Sequence, residues 1–110
     1  MRKAKVLYKD QEAGILSQLD DGSFTYDYHG EWLANPLKPS ISLTLPKREG
    51  SFRSATLFSF FYNMLPEGTN KKVVCKYNRL DEKDYFSLLM ITAGNDSIGA
   101  VRVEKMGRDE

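Results

Sequence analysis

Apolar and polar residues alternate with a period of two along the first third of the chain. The alternation runs over residues 4–8 and appears again over 24–28, as in strands with one buried face, and residues 15–19 can return between them as the second strand of a hairpin. Turn-forming residues separate the three runs, and an Asp-Gly pair before the third run suits a tight hairpin turn. The pattern therefore predicts a meander of three antiparallel strands within residues 3–28.

Prolines interrupt the middle of the chain. Pro36 and Pro39 disfavour a long helix there, because proline lacks a backbone N–H and restricts the residue before it. Apolar and polar residues alternate once more over 41–45, and Pro46 follows directly. The sequence predicts a fourth short strand over residues 41–45.

The spacing of apolar residues then lengthens to three and four, which is typical of amphipathic helices. Such spacing predicts a helix over residues 52–65, which Pro66 ends. A second short helix is predicted over 70–77. A third is predicted to begin near Asp81, whose side chain caps it, and to close at Gly94.

The last apolar run, residues 98–103, predicts a strand that returns to the sheet. This order of elements indicates an α+β domain, with a small, curled antiparallel β-sheet of about five strands and two to three helices packed on it. Residues 1–110 are expected to form a single domain. Four phenylalanines lie within residues 52–61, more than one face of a short helix buries, so one or two are expected at a partner surface.

Composition narrows the class of protein. The 110 residues are 41% hydrophobic, enough for a core, and contain no apolar run of the roughly 20 residues that a membrane helix needs. Sixteen Lys and Arg against fifteen Asp and Glu give a net charge of +1, which disfavours binding to phosphate backbones. The aromatic residues of 24–28 are therefore expected in the core and not as a stacking platform. A lone Cys75 and the lack of a signal-peptide core favour a reducing, cytoplasmic setting.

No candidate for catalysis or metal binding finds the partners that it needs. His29 is the single histidine and Cys75 the single cysteine, which are too few for the common zinc sites. The carboxylates at 20–21 fit a turn, and those at 81–84 fit the start of a helix. The glycines of 94–99 follow a helix and precede a strand, whereas phosphate-binding loops have the reverse order. We expect a binding module and not an enzyme, with no cofactor and no metal.

Two segments together resemble HipA-type proteins. Residues 60–68 are similar to the phenylalanine–asparagine–leucine–leucine–proline–glutamate stretch of that family, and residues 93–101 to its glycine–x–aspartate–serine–x–glycine–alanine turn. The resemblance extends over residues 3–104. Further matches are Leu43–Pro46, Gly14 with Leu16, and Phe24 with Tyr26.

The resemblance implies a role in a bacterial toxin–antitoxin system. In that family this region precedes a serine/threonine kinase body, and HipA toxins phosphorylate a glutamyl-tRNA synthetase and pair with the DNA-binding antitoxin HipB. The present chain has no nucleotide loop, catalytic-loop aspartate or metal-binding Asp-Phe-Gly motif. It therefore resembles the split arrangement, in which the subdomain is a separate protein, HipS, and acts as the antitoxin of a shortened kinase, HipT. The implied partner is a HipA/HipT-like kinase chain, with or without a HipB-like protein, and no direct nucleic acid or membrane.

The expected contact with the kinase is the end of the helix and the loop that follows it. A loop fixed by proline loses little entropy on binding, so we expect the partner-binding residues to be Phe61, Met64, Leu65, Pro66, Glu67, Gly68 and Thr69. In the competing interpretation, this segment merely ends a helix. Other roles stay open: a structural or activating subunit of the kinase, nucleic-acid contact within a repressor complex, or a domain excised from a full-length kinase.

Overall fold

A meander of three antiparallel strands forms the first part of the computed structural model, which describes residues 1–65, 68–95 and 100–106. The strands are β1 (Arg2–Tyr8), β2 (Gln11–Gln18) and β3 (Phe24–Tyr28). β2 pairs with both of its neighbours, and the sequence prediction of this meander is confirmed. Lys9 and Asp10 form the first turn with positive φ angles of 49° and 66°, which suit the right-handed twist of the hairpin.

Gly14 on β2 makes room for a tyrosine of β3. A Cβ atom at Gly14 would lie 2.5 Å from the hydroxyl oxygen of Tyr26, which is fully buried. Only a residue without a side chain lets the ring lie across the strand at this point.

The segment after β3 forms a short helix and a turn. Helix α1 (Gly30–Ala34) buries Trp32, whose indole N–H donates to the carbonyl of Pro39 at 2.8 Å. The prediction of a strand over 41–45 is wrong: these residues form a turn with one isolated bridge. Hydrogen bonds of the Ser42 hydroxyl within this turn offer the backbone an alternative to strand pairing, and Leu43 is 99% exposed.

The prediction of a helix over 52–65 is wrong in its first part. Phe52–Ser54 form strand β4, which pairs with β3, and helix α2 spans only Ser59–Tyr62. A three-residue strand is too short to show a period of two. The intervals of three and four between apolar residues instead reflect rings that pack into one cluster.

Helices α3 (Gly68–Asn78) and α4 (Tyr85–Asn95) follow, as predicted for this part of the chain. α4 begins later than predicted, because Asp81 accepts a bond from the Lys83 N–H within a turn and Asp84 caps the helix instead. Gly94, the predicted end, lies inside the last turn of α4.

Strand β5 (Val101–Lys105) returns beside β1 and completes the sheet. The order β4-β3-β2-β1-β5 is antiparallel throughout and the sheet is open, with α4 packed against β5. The α+β class and the five strands are confirmed, with four helices in the described residues instead of two to three. Residues 98–99 of the predicted strand and the glycine turn at 96–99 lie outside the described residues. The largest fully buried side chains that the structure describes are Tyr26, Phe61, Leu16, Leu45, Leu88, Leu89, Val6 and Val103.

Candidate partner-binding surface

Helix α2 and the turns after it carry the segment that the sequence singled out. The N–H groups of Phe61 and Tyr62 both donate to the Phe58 carbonyl, at 3.0 and 2.9 Å. Further turns follow, ending with the N–H of Leu65 on the carbonyl of Tyr62 at 3.0 Å. The backbone is therefore held in hydrogen-bonded turns as far as residue 65.

Phe61 anchors this segment in the core. Its side chain is fully buried, and its ring centroid lies 5.2 Å from that of Phe60 and 6.1 Å from that of Tyr26. The other phenylalanines of the 52–61 group are half-buried, so the expectation of one or two exposed phenylalanines is wrong. Their rings pack against the core beneath α2.

The other predicted contact residues fall into three groups. Leu65 is only 8% exposed and Met64 is half-buried against the core. Pro66 and Glu67 lie outside the described residues. Gly68 and Thr69 begin α3, and their side chains are likewise outside the described part.

Tyr62 is the exposed aromatic side chain of the segment, and it is not among the partner-binding residues that the sequence predicted. Its side chain is 45% exposed, and its ring meets that of Tyr85 edge to face at a centroid distance of 5.6 Å. The ammonium group of Lys71 lies 5.2 Å from the Tyr85 ring centroid. Tyr62, Lys71 and Tyr85 thus join α2, α3 and α4 in one surface, which we call the Tyr62 patch. In the sequence, the only indication of this patch is that Tyr62 directly follows Phe61, whose side chain is buried.

An ion pair ties the start of α4, and hence Tyr85, to strand β1. The Arg2 guanidinium donates to Asp84 at 2.8 Å and to the Ser87 hydroxyl at 3.0 Å. Partial burial raises the pKa of Asp84, but hydrogen bonds from Arg2 and Ser87 outweigh this effect and hold that pKa below its ordinary value. The carboxylate therefore stays charged and fixes the helix end at neutral pH.

Other side chains that the sequence offered for catalysis or metal binding, namely Cys75, His29 and Asp21, are buried or bonded to another residue. Cys75 is 3% exposed, as the sequence predicted, and half-buried His29 has its Nε2 2.7 Å from the Glu12 carboxylate. Asp21 accepts bonds from the N–H and hydroxyl of Ser23 in a turn, which confirms that assignment. Among residues 1–65, 68–95 and 100–106, no three potential metal ligands lie together.

Four of the polar side chains that line the cleft beside α1 are bonded to one another in pairs. It encloses about 660 Å³ and is lined by His29 and Glu12, which pair with each other, and by Lys38, whose ammonium group bonds to Gln11. Trp32 at its base is 4% exposed and offers a ligand little surface. This cleft is therefore a weaker candidate than the Tyr62 patch.

Fold and surface define a small α+β domain whose candidate site, in the described residues, is the exposed Tyr62 patch. The sequence profile of the HipA N-terminal domain family matches residues 4–104, and the chain belongs to this family. The match is to the N-terminal domain of HipA and not to its catalytic kinase portion. The resemblance seen in the sequence is confirmed.

Two relatives support this assignment. An uncharacterised protein of Haemophilus influenzae strain Rd is 31% identical over 105 residues, which span 96% of this chain and 93% of that protein. A solved structure of the N-terminal domain of HipA toxin superposes with a TM-score of 0.72 at 25% identity, covering 99% of this chain and 96% of that one. None of the described helices has the length and apolar character needed to cross a membrane.

Proposed function

We propose that this chain is a non-catalytic antitoxin that binds a HipA/HipT-like serine/threonine kinase in trans and neutralises it in the cytoplasm. One observation supports the proposal most strongly: the family match and the structural match both extend over nearly the whole chain. The domain also accounts for 93% of the H. influenzae relative, which is therefore similarly short. A HipB-like DNA-binding protein is a further candidate component of the complex.

The proposed contact is the segment 61–69 together with the Tyr62 patch. A domain that is separate from its kinase keeps the surface that it would otherwise bury within one chain. Phe61 and Leu65 act from inside, since they hold the α2 turns in shape, while Tyr62 and half-buried Met64 face the partner. A surface already fixed by the core loses little conformational entropy on binding.

Neutralisation follows if the bound chain favours an open kinase. A kinase needs its two lobes closed around ATP, and a partner that binds the open state better shifts the population towards it. The size of the inhibition is then limited by the difference in affinity for the two states.

The alternative is a structural or activating subunit, or an N-terminal subdomain that normally belongs to a longer kinase chain. It is favoured by the fact that the solved relative is a domain of the toxin itself. The two functions differ in sign, because an antitoxin lowers kinase activity and a completing subunit raises it.

A binding titration tests the proposal. The kinase chain is identified by co-purification with the tagged wild-type protein, expressed alone, and titrated with this chain by calorimetry. We expect Tyr62→Ala combined with Glu67→Arg to weaken binding at least tenfold, as loss of a central aromatic contact does. The matched control is Leu43→Ala, which removes a 99% exposed apolar side chain elsewhere. Recovery of no kinase chain with the tagged wild-type protein would overturn the proposal.

A further inference from the structure

Helix α3 exposes apolar side chains that contribute nothing to the core of the isolated domain. Of its described side chains only Cys75 is buried, with Lys71 and Val74 half-buried beside it. Val73 is 59% exposed and Tyr77 is 87% exposed. These two residues are four apart, so they form one apolar stripe on the solvent side of the helix.

A basic stripe runs alongside the apolar one. Lys72 and Lys76 are also four residues apart and are exposed, and exposed Arg79 follows the helix. With Lys71 they give four positive charges over residues 71–79, a stretch without any acidic residue, in a chain whose net charge is only +1. Within the part of the chain that the structure describes, none of the four makes an ion pair.

The charge and polarity of this face of α3 favour one kind of binding partner. A second copy of this chain is disfavoured, because pairing two α3 helices would bring lysines against lysines. A phosphate backbone would use the lysines, but it would leave Val73 in water. A protein groove with an apolar floor and acidic rims matches both stripes at once.

We propose that the outer face of α3 binds an apolar, acid-rimmed groove on the partner kinase, with Val73 and Tyr77 as anchors and Lys72 and Lys76 at the rim. This inference rests on the proposed function and extends it. Lys71 already belongs to the Tyr62 patch, so the two surfaces are continuous. The rim charges would mainly raise the association rate, and the anchors would mainly slow dissociation.

Two double variants of the full-length chain test the proposal. Val73→Ala with Tyr77→Ala removes the anchors, and Lys72→Glu with Lys76→Glu reverses the rim. The charge-matched control is Lys3→Glu with Lys105→Glu, at exposed sites on β1 and β5. Because all of these side chains are solvent-facing, we expect unchanged circular dichroism and melting temperatures within about 3 °C of wild type.

Binding to the isolated kinase chain is measured by calorimetry and stopped flow between 50 and 300 mM salt. We expect each α3 variant to raise Kd at least tenfold, the charge reversal to abolish the salt dependence of the association rate, and the control to change Kd less than twofold. Wild-type affinity of both α3 variants, with a weakened Tyr62→Ala variant, would overturn the α3 proposal and leave the proposed function standing.

Two further outcomes have separate meanings. Recovery of no kinase chain with the tagged wild-type protein would overturn the proposed function and, with it, this inference. A 30-base-pair DNA duplex serves as the competing probe. Salt-dependent duplex binding that Lys72→Glu with Lys76→Glu abolishes, while kinase binding by that variant is unchanged, would assign α3 to nucleic acid instead.

Discussion

At the scale of single residues, two neighbouring tyrosines of β3 are both buried but differ in what their hydroxyl groups meet. The Tyr28 hydroxyl donates to the Leu45 carbonyl and accepts from the Ile41 N–H at 3.0 Å. The Tyr26 hydroxyl has no hydrogen-bond partner among the described residues. Burial raises the pKa of both groups, so both are neutral phenols at ordinary pH.

The pair offers a matched test of what each hydroxyl contributes. We expect Tyr28→Phe to lower the free energy of unfolding by about 1–3 kcal/mol, since it leaves two buried backbone groups of the 41–45 turn unpaired. We expect Tyr26→Phe to leave that free energy within about 0.5 kcal/mol of wild type or to raise it, because it removes an unpaired buried group. Urea unfolding measures both. Equal destabilisation by the two substitutions would contradict the assignment.

Asp84 gives stability a defined dependence on pH. Its pKa is lower in the folded chain than in the unfolded chain, so the unfolded chain takes up more protons as pH falls below about 4, and stability is lost. We expect Asp84→Asn to cost about 1–2 kcal/mol at pH 7 and progressively less as pH falls towards 2.

Urea unfolding at a series of pH values measures this difference. Glu49→Gln is the control, because Glu49 is exposed and makes no ion pair in the described part of the chain. A cost of Asp84→Asn that stays constant down to low pH would show that the Arg2 pair does not act through the charge of the carboxylate.

At the scale of elements, sequence patterns predicted what repeats often enough to be recognised. β1 and β3 alternate over several residues, β2 lies between two clear turns, and all three strands were predicted. β4 has three residues, too few for a period, and 41–45 alternates because the turn points Ile41 and Leu45 inward. Packing against the rest of the molecule decided both cases, and a local pattern does not contain that information.

Helix α3 packs through few of its described side chains, and Cys75 reports on that packing. Its thiol is 3% exposed, so reaction with a thiol reagent requires the helix to open. We expect the free energy of this opening to lie at least about 1 kcal/mol below that of global unfolding, since, of the described apolar side chains of α3, only Cys75 and half-buried Val74 pack against the core. Labelling with a chromogenic disulfide, followed in increasing urea, measures it.

The control places a thiol on the outer stripe of the same helix. In a Cys75→Ala background, the thiol introduced by Val73→Cys is solvent-facing and should react at the rate of an unfolded peptide. Cys75 reacting equally fast in the native protein would contradict its burial, and labelling only upon global unfolding would contradict the weak packing of α3.

At the scale of the whole molecule, the family could be identified from the sequence, whereas the exposure of individual side chains could not. The motifs at 60–68 and 93–101 identified the family because their order and spacing extend along the chain. The same motif suggested Phe61 and Leu65 as contacts, yet both are buried. Which side of a four-residue helix faces outward depends on the sheet beneath it, so Tyr62 emerged only with the fold.

The proposed function requires this domain to restrain a kinase to which it is not covalently joined. The most direct measurement is phosphate transfer by the isolated kinase chain, followed while this protein is titrated in. We expect activity to fall in proportion to added protein and to reach its minimum at a fixed molar ratio, and we expect the Tyr62→Ala and Glu67→Arg double variant to shift the titration to higher concentration. Activity that rises, or that does not change although the two chains bind, would contradict the proposed function.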